Sequence, residues 1–94
     1  MVRDIHQGGL GLKAVADLDA CVFGKRVLSE SKVRRLPVGT VIQMHYLDKD
    51  GNHQWKPVEV VISHRRKMLC SRDWRDSGHI MRIWTHKYIR YTEV

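Results

Sequence analysis

The sequence predicts a mainly β domain, a small barrel of about five strands with one short helix ahead of it. Three observations carry that expectation. A strong hairpin signal occupies residues 41–63, with alternating apolar residues on either side of an Asp-Gly turn. Further short alternating runs follow it at close spacing up to Thr92. Helical periodicity shows in one place only, residues 12–23. With 94 residues the chain has room for one domain and a modest core.

From the N-terminus, Gly8, Gly9 and Gly11 read as a flexible lead. They do not form a phosphate loop, because no strand precedes them and no Gly-Lys-Ser/Thr follows. Leu12, Val15, Leu18 and Val22 then fall near one helical face, with alanines between them for propensity and Gly24 as the stop. Residues 25–35 read as a basic connector with a short strand at 26–29. The expected division is 1–35 for the lead, helix and connector, and 36–94 for the barrel.

The first barrel strand is Val41–Leu47, with Ile42, Met44 and Tyr46 on the core face and Val41, Gln43, His45 and Leu47 on the other. Asp48-Lys49-Asp50-Gly51-Asn52 makes the turn, and His53–Ser63 returns with Val58, Val60 and Ile62 inward. Pro57 puts that arm on an edge or at a bulge. His64 to Lys67 is a basic turn, Met68–Ser71 a third strand and Asp73–Gly78 a polar loop. Ile80–Trp84 alternates as a fourth strand, residues 85–87 turn, and Tyr88–Thr92 closes the set. Five short strands with tight turns fit an SH3-like or Sm-like barrel.

Charge directs the functional reading. The chain has 17 Lys plus Arg against 10 Asp plus Glu, a net of +7, which favours polyanionic partners. Between Ile62 and Tyr91 stand Arg65, Arg66, Lys67, Arg72, Arg75, Arg82, Lys87 and Arg90, opposed only by Asp73 and Asp76. Trp74, Trp84, Tyr88 and Tyr91 are interleaved with them. Cations follow a phosphate backbone and aromatic faces stack unpaired bases. The candidate binding set is Arg65, Arg66, Lys67, Arg72, Trp74, Arg75, Arg82, Lys87 and Arg90. Trp74, in a polar loop, is the aromatic expected to be exposed, whereas Trp84 and Tyr88 are expected in the core or capping it.

Other chemistry is weakly marked. His45, His53, His64, His79 and His86 could converge across the sheet, but no HxH or HxxxH pair occurs. Cys21 and Cys70 form neither a CxxC motif nor a disulfide framework. The expectation is a non-enzymatic module without metal or cofactor, cytoplasmic, with no membrane partner.

Several positions resemble the β-barrel part of WYL domains, which are Sm/SH3-like modules of bacterial transcription regulators and defence-associated proteins. Ile42, Tyr46 and Gly51 resemble that family's opening hairpin, Met68-Leu69-Cys70-Ser71-Arg72-Asp73 its central strand, and Arg82, Trp84 and Ile89 its last motif. The namesake triplet is Lys67-Met68-Leu69 here, and Thr85 and Tyr88 replace basic residues of the closing motif. The resemblance therefore implies the barrel more than a particular ligand site. The expected function is binding of RNA or single-stranded DNA in transcription regulation. The alternative is a small viral or mobile-element protein that inhibits a host protein by docking its basic surface on an acidic one.

Overall fold

The computed structural model describes residues 11–75, 78–84 and 87–94. Eight elements follow in order: α1 (Gly11–Cys21), β1 (Val27–Leu28), α2 (Glu30–Arg35), β2 (Val41–Leu47), β3 (His53–Ser63), β4 (Arg66–Ser71), β5 (Ile80–Met81) and β6 (Ile89–Glu93). Of the glycine lead expected at 1–11, residues 1–10 lie outside the described residues, as do Asp76, Ser77, Thr85 and His86 in the two later loops, whereas Gly11 begins α1 and is not part of a loop.

The strands form one antiparallel sheet in the order β1-β6-β2-β3-β4-β5. It is mainly β, as expected, but it is an open sheet of six strands with β1 and β5 at its ends. On the β5 side the strand ends after Met81, and Ile83 turns into the core instead of extending the ladder.

The hairpin β2–β3 is the centre of the fold. Asp48 Oδ1 accepts from the amides of Asp50 and Asn52, both at 2.9 Å, and Gly51 takes φ 84°, so the Asp-Gly turn sets the register Leu47↔His53. Those amides hold the Asp48 carboxyl below its ordinary range. Ile42 and Met44 are buried as expected, with Val58, Val60, Leu69, Leu28, Val33, Ile83 and Tyr91 around them and Tyr46 packed alongside. Ile62, expected inside, is 56% exposed near the end of β3, beyond the reach of that cluster. Pro57 falls where β3 gains its second neighbour: residues 53–56 pair with β2 alone, the Pro57 carbonyl accepts from the Arg72 amide at 2.9 Å, and the β3–β4 ladder runs on from Val58↔Ser71. A residue without an N–H is tolerated on such an edge.

The turn between β3 and β4 consists of His64 and Arg65 alone, with φ 52° and 67°, and Ser63↔Arg66 closes it. Positive φ at both positions matches the twist of a two-residue hairpin, although neither is the Asn, Asp or Gly that such a turn prefers.

Residues 25–35 are more structured than the connector expected from the sequence. Val27 and Leu28 pair with Thr92 and Tyr91. The Ser29 hydroxyl then caps α2 by accepting from the Lys32 amide at 3.2 Å, and Val33 from this helix is fully buried in the core. The other helix, α1, buries Leu18, and Val22 is buried just after its end. Asp19 of α1 accepts from Arg90 Nε of β6 at 2.8 Å. Gly24, with φ 84°, supplies the turn after α1 that its position in the sequence suggested.

Candidate functional site

The β4–β5 ladder contains only Leu69↔Met81 and Cys70↔Ile80. Continued two steps past Leu69↔Met81, the register would set Ile83 opposite Lys67. Instead the chain leaves β4, Ile83 is drawn into the core at 4% exposure, and its carbonyl accepts from Arg34 Nη2 of α2 at 3.2 Å. The gap so opened is a cleft of about 570 Å³ lined by Arg34, Arg66, Lys67, Met68, Arg82, Ile83 and Trp84. Four of the seven lining residues are cations, brought from α2, from β4 and from the segment after β5.

Two of these cations are fixed by the fold. Arg34 binds Glu30 one helical turn away at 2.8 Å as well as the Ile83 carbonyl. Lys67 Nζ donates to the carbonyls of Arg34 and Leu36, where it satisfies and neutralises the C-terminal end of α2. Arg66 and Arg82 are exposed and make no ion pair among the described residues. Trp84 was expected in the core or capping it. Its amide donates to Tyr91 Oη at 3.0 Å, but half of its surface is open to solvent beside the arginines. The buried Tyr91 phenol, pushed above its ordinary pKa by desolvation, stays a neutral hydrogen-bonding group.

Arg66, Lys67 and Arg82, all in the expected binding set, thus come together. Arg34 joins them although the basic run of residues 32–35 gave no sign of a helix turning it toward β4. The signals that could have found it are Ser29 as an N-cap and the Glu30–Arg34 spacing. Arg65 lies next door in the β3–β4 turn and is exposed. Arg72, Trp74 and Arg75 group at the other end of β4. Arg72 pairs with Glu59 at 3.4 Å, and Arg75 sits 5.5 Å from the Trp74 ring centroid and 3.7 Å from Asp73. Trp74 is 85% exposed, as its polar loop suggested. Lys87 is exposed with its ammonium over the Tyr88 ring. Arg90 is a strut: besides Asp19 it donates to the carbonyls of Lys87 and Ile89.

A second cluster occupies the sheet face opposite the main core. His45 was placed outward by strand alternation, yet it is 4% exposed. Its Nδ1 lies 3.0 Å from His53 Nε2 and its Nε2 lies 3.0 Å from Thr92 Oγ1. The two imidazoles are nearly coplanar, 6° apart, with centroids 5.2 Å apart. At that spacing the nitrogens face each other along the line between the rings, which suits one shared proton. It does not suit a metal ion, whose ligand lone pairs must converge on one point. Among the described residues no three or more His, Cys, Asp or Glu side chains gather at metal-binding distance. Burial, reinforced by His53 and Lys25, lowers His45 to a pKa of about 4, and burial also lowers His53.

No described helix is long and apolar enough to cross a membrane. Scans against protein-family models, curated proteins and solved structures return no match to this chain.

Proposed function

We propose that this protein is a non-enzymatic nucleic-acid-binding module that takes RNA or single-stranded DNA into the cleft between α2 and the edge of β4. The observation that carries this reading is the convergence of Arg34, Arg66, Lys67 and Arg82 around a half-exposed Trp84. Exposed guanidinium groups without carboxylate partners meet phosphates by bidentate hydrogen bonds. A tryptophan beside them offers a face on which an unpaired base stacks. Duplex lacks such free bases, so single strands are the favoured form. Arg65 extends the track along the hairpin turn, and Arg72, Trp74 and Arg75 form an outlying contact at the far end of β4.

The fold is read as an opened relative of the Sm/SH3-like barrel of WYL domains, with a role in transcription regulation to match. Its β2-β3-β4-β5 meander and the return of β6 beside β2 support this. A second reading rests on the free edge of β4 at Arg66–Met68. An extended acidic segment of a host protein could pair there between the arginines, as a small viral or mobile-element inhibitor would require.

Fluorescence anisotropy with labelled single-stranded and duplex oligonucleotides at two salt concentrations tests the first reading. Saturable single-strand binding that weakens steeply with salt is expected. Absence of binding at low salt would remove it.

A further inference from the structure

We infer a second, separate binding site, a nucleobase pocket on the sheet face opposite the main core, suited to a purine or pyrimidine nucleoside phosphate. Residues 43, 45, 53, 55 and 92 share this face by their register on β2, β3 and β6. With Cys21, Lys25, Glu93 and Val94 they line an open pocket of about 470 Å³.

Its chemistry differs from that of the basic cleft. One wall is aromatic: His53 and Trp55 lie with centroids 5.2 Å apart and planes 26° apart, and Trp55 remains 60% exposed. A large, open aromatic surface next to a polar cavity suits a planar heterocycle. The Gln43 amide contributes a buried oxygen, Oε1, that has no hydrogen-bond partner among the described residues. An unpaired acceptor of this kind is costly, and a ligand N–H reached by a turn of the Gln43 side chain would satisfy it.

The third feature is the hydrogen-bonded row Thr92–His45–His53. If the Thr92 hydroxyl donates to His45 Nε2, His45 Nδ1–H donates to His53 Nε2, and His53 Nδ1–H is left as a donor. If the row runs the other way, His53 Nδ1 is left as an acceptor. The two arrangements carry the same charge and interconvert by tautomer exchange of each imidazole with solvent, not by protons passing along the row, so His53 can present either a donor or an acceptor. Base edges present both ring nitrogens and N–H groups, so a site with this freedom can meet either. Lys25 at the rim supplies a cation for a phosphate.

The ligand can be a free mononucleotide or one nucleotide of a strand, and two arms of a titration followed by heteronuclear NMR separate these sources. One uses AMP, GMP, CMP and UMP, with ribose 5-phosphate as control. The other uses a short oligothymidine. Both use the full chain at neutral pH and again in the Arg66→Ala/Arg82→Ala variant. Saturable shifts of the His45, His53 and Trp55 side-chain signals that survive in that variant are expected. They would appear with mononucleotides, or with the oligonucleotide alone if the base must belong to a strand. Trp55→Ala, a change at an exposed position, is expected to weaken the interaction about tenfold, and Lys25→Met to reduce the preference for nucleotide over nucleoside. The inference is overturned if those signals stay still in both arms, if ribose 5-phosphate moves them equally, if Trp55→Ala leaves the affinity unchanged, or if the arginine variant abolishes the shifts.

Discussion

Arg34 Nη2 donates to the carbonyl oxygen of Ile83 across 3.2 Å. This one bond joins α2 to the segment that leaves β4, and so holds open the cleft whose wall Arg34 also forms. Ile83 would otherwise present a carbonyl with no strand partner at the point where the β4–β5 ladder stops.

Arg34→Met should therefore act on stability and binding together. Loss of a charge-assisted hydrogen bond at a partly buried carbonyl is expected to cost about 1–2 kcal/mol in urea unfolding. Single-strand affinity should fall as well, whereas Arg82→Ala should lower affinity with little change in the unfolding midpoint.

The histidine row gives a pH dependence with a definite sign. His45 has a folded pKa of about 4 against 6.5 for an unperturbed histidine, and His53 is shifted the same way. Above 6.5 both states are neutral and the row leaves stability independent of pH. Between 6.5 and 4 the unfolded chain binds protons that the folded chain refuses, so stability falls as pH falls, then levels off below 4. The loss from His45 alone approaches about 3 kcal/mol. Urea unfolding of the protein and of His45→Gln between pH 7.5 and 4 checks this. The variant should show a distinctly flatter profile.

His64 and Arg65 hold positive φ at a cost of order 1 kcal/mol each. Replacing them with Asn-Gly should raise the unfolding free energy by about 1–2 kcal/mol. The same change removes the Arg65 cation and should reduce the single-strand salt slope by about 0.7. Opposite movement of stability and affinity would separate the structural role of the turn from the charge it carries.

Arg90 belongs to the binding cations by its sequence neighbourhood, but its guanidinium is committed to Asp19 and to two backbone carbonyls. Arg90→Gln is expected to lower stability by about 1 kcal/mol and to leave single-strand affinity within about twofold once the change in net charge is allowed for.

The sequence was most legible where local chemistry decides the structure. Asp48 and Gly51 dictate a turn, and Ile42, Met44, Val58 and Val60 dictate which side of the hairpin is inside. It was less legible where a distant element decides. His45 alternates outward, yet the pocket-side face also carries α1, and its position there is buried. Ile80–Trp84 alternates as one strand, but the competition for Ile83 between β4 and the core ends the strand after Met81. Residues 30–35 contain one apolar side chain, Val33, so no stripe announces α2; only its cap does. For the site, composition found Arg66, Lys67 and Arg82 but could not separate them from Arg90, because charge in a sequence does not say which cations are already paired. Trp55 carries no signal in the sequence because it stands alone in a strand, and its neighbour His53 matters only through the sheet register.

The central claim is that the exposed arginines of the cleft, Arg66 and Arg82, bind a single strand. The measurement that tests it most directly is the salt dependence of oligonucleotide affinity for the protein and for Arg66→Ala/Arg82→Ala. Removing two phosphate contacts should weaken binding to all single-stranded sequences and reduce the slope of log affinity against log salt by about 1.4, with the unfolding midpoint nearly unchanged. An unchanged slope and affinity in a variant that remains folded would contradict it.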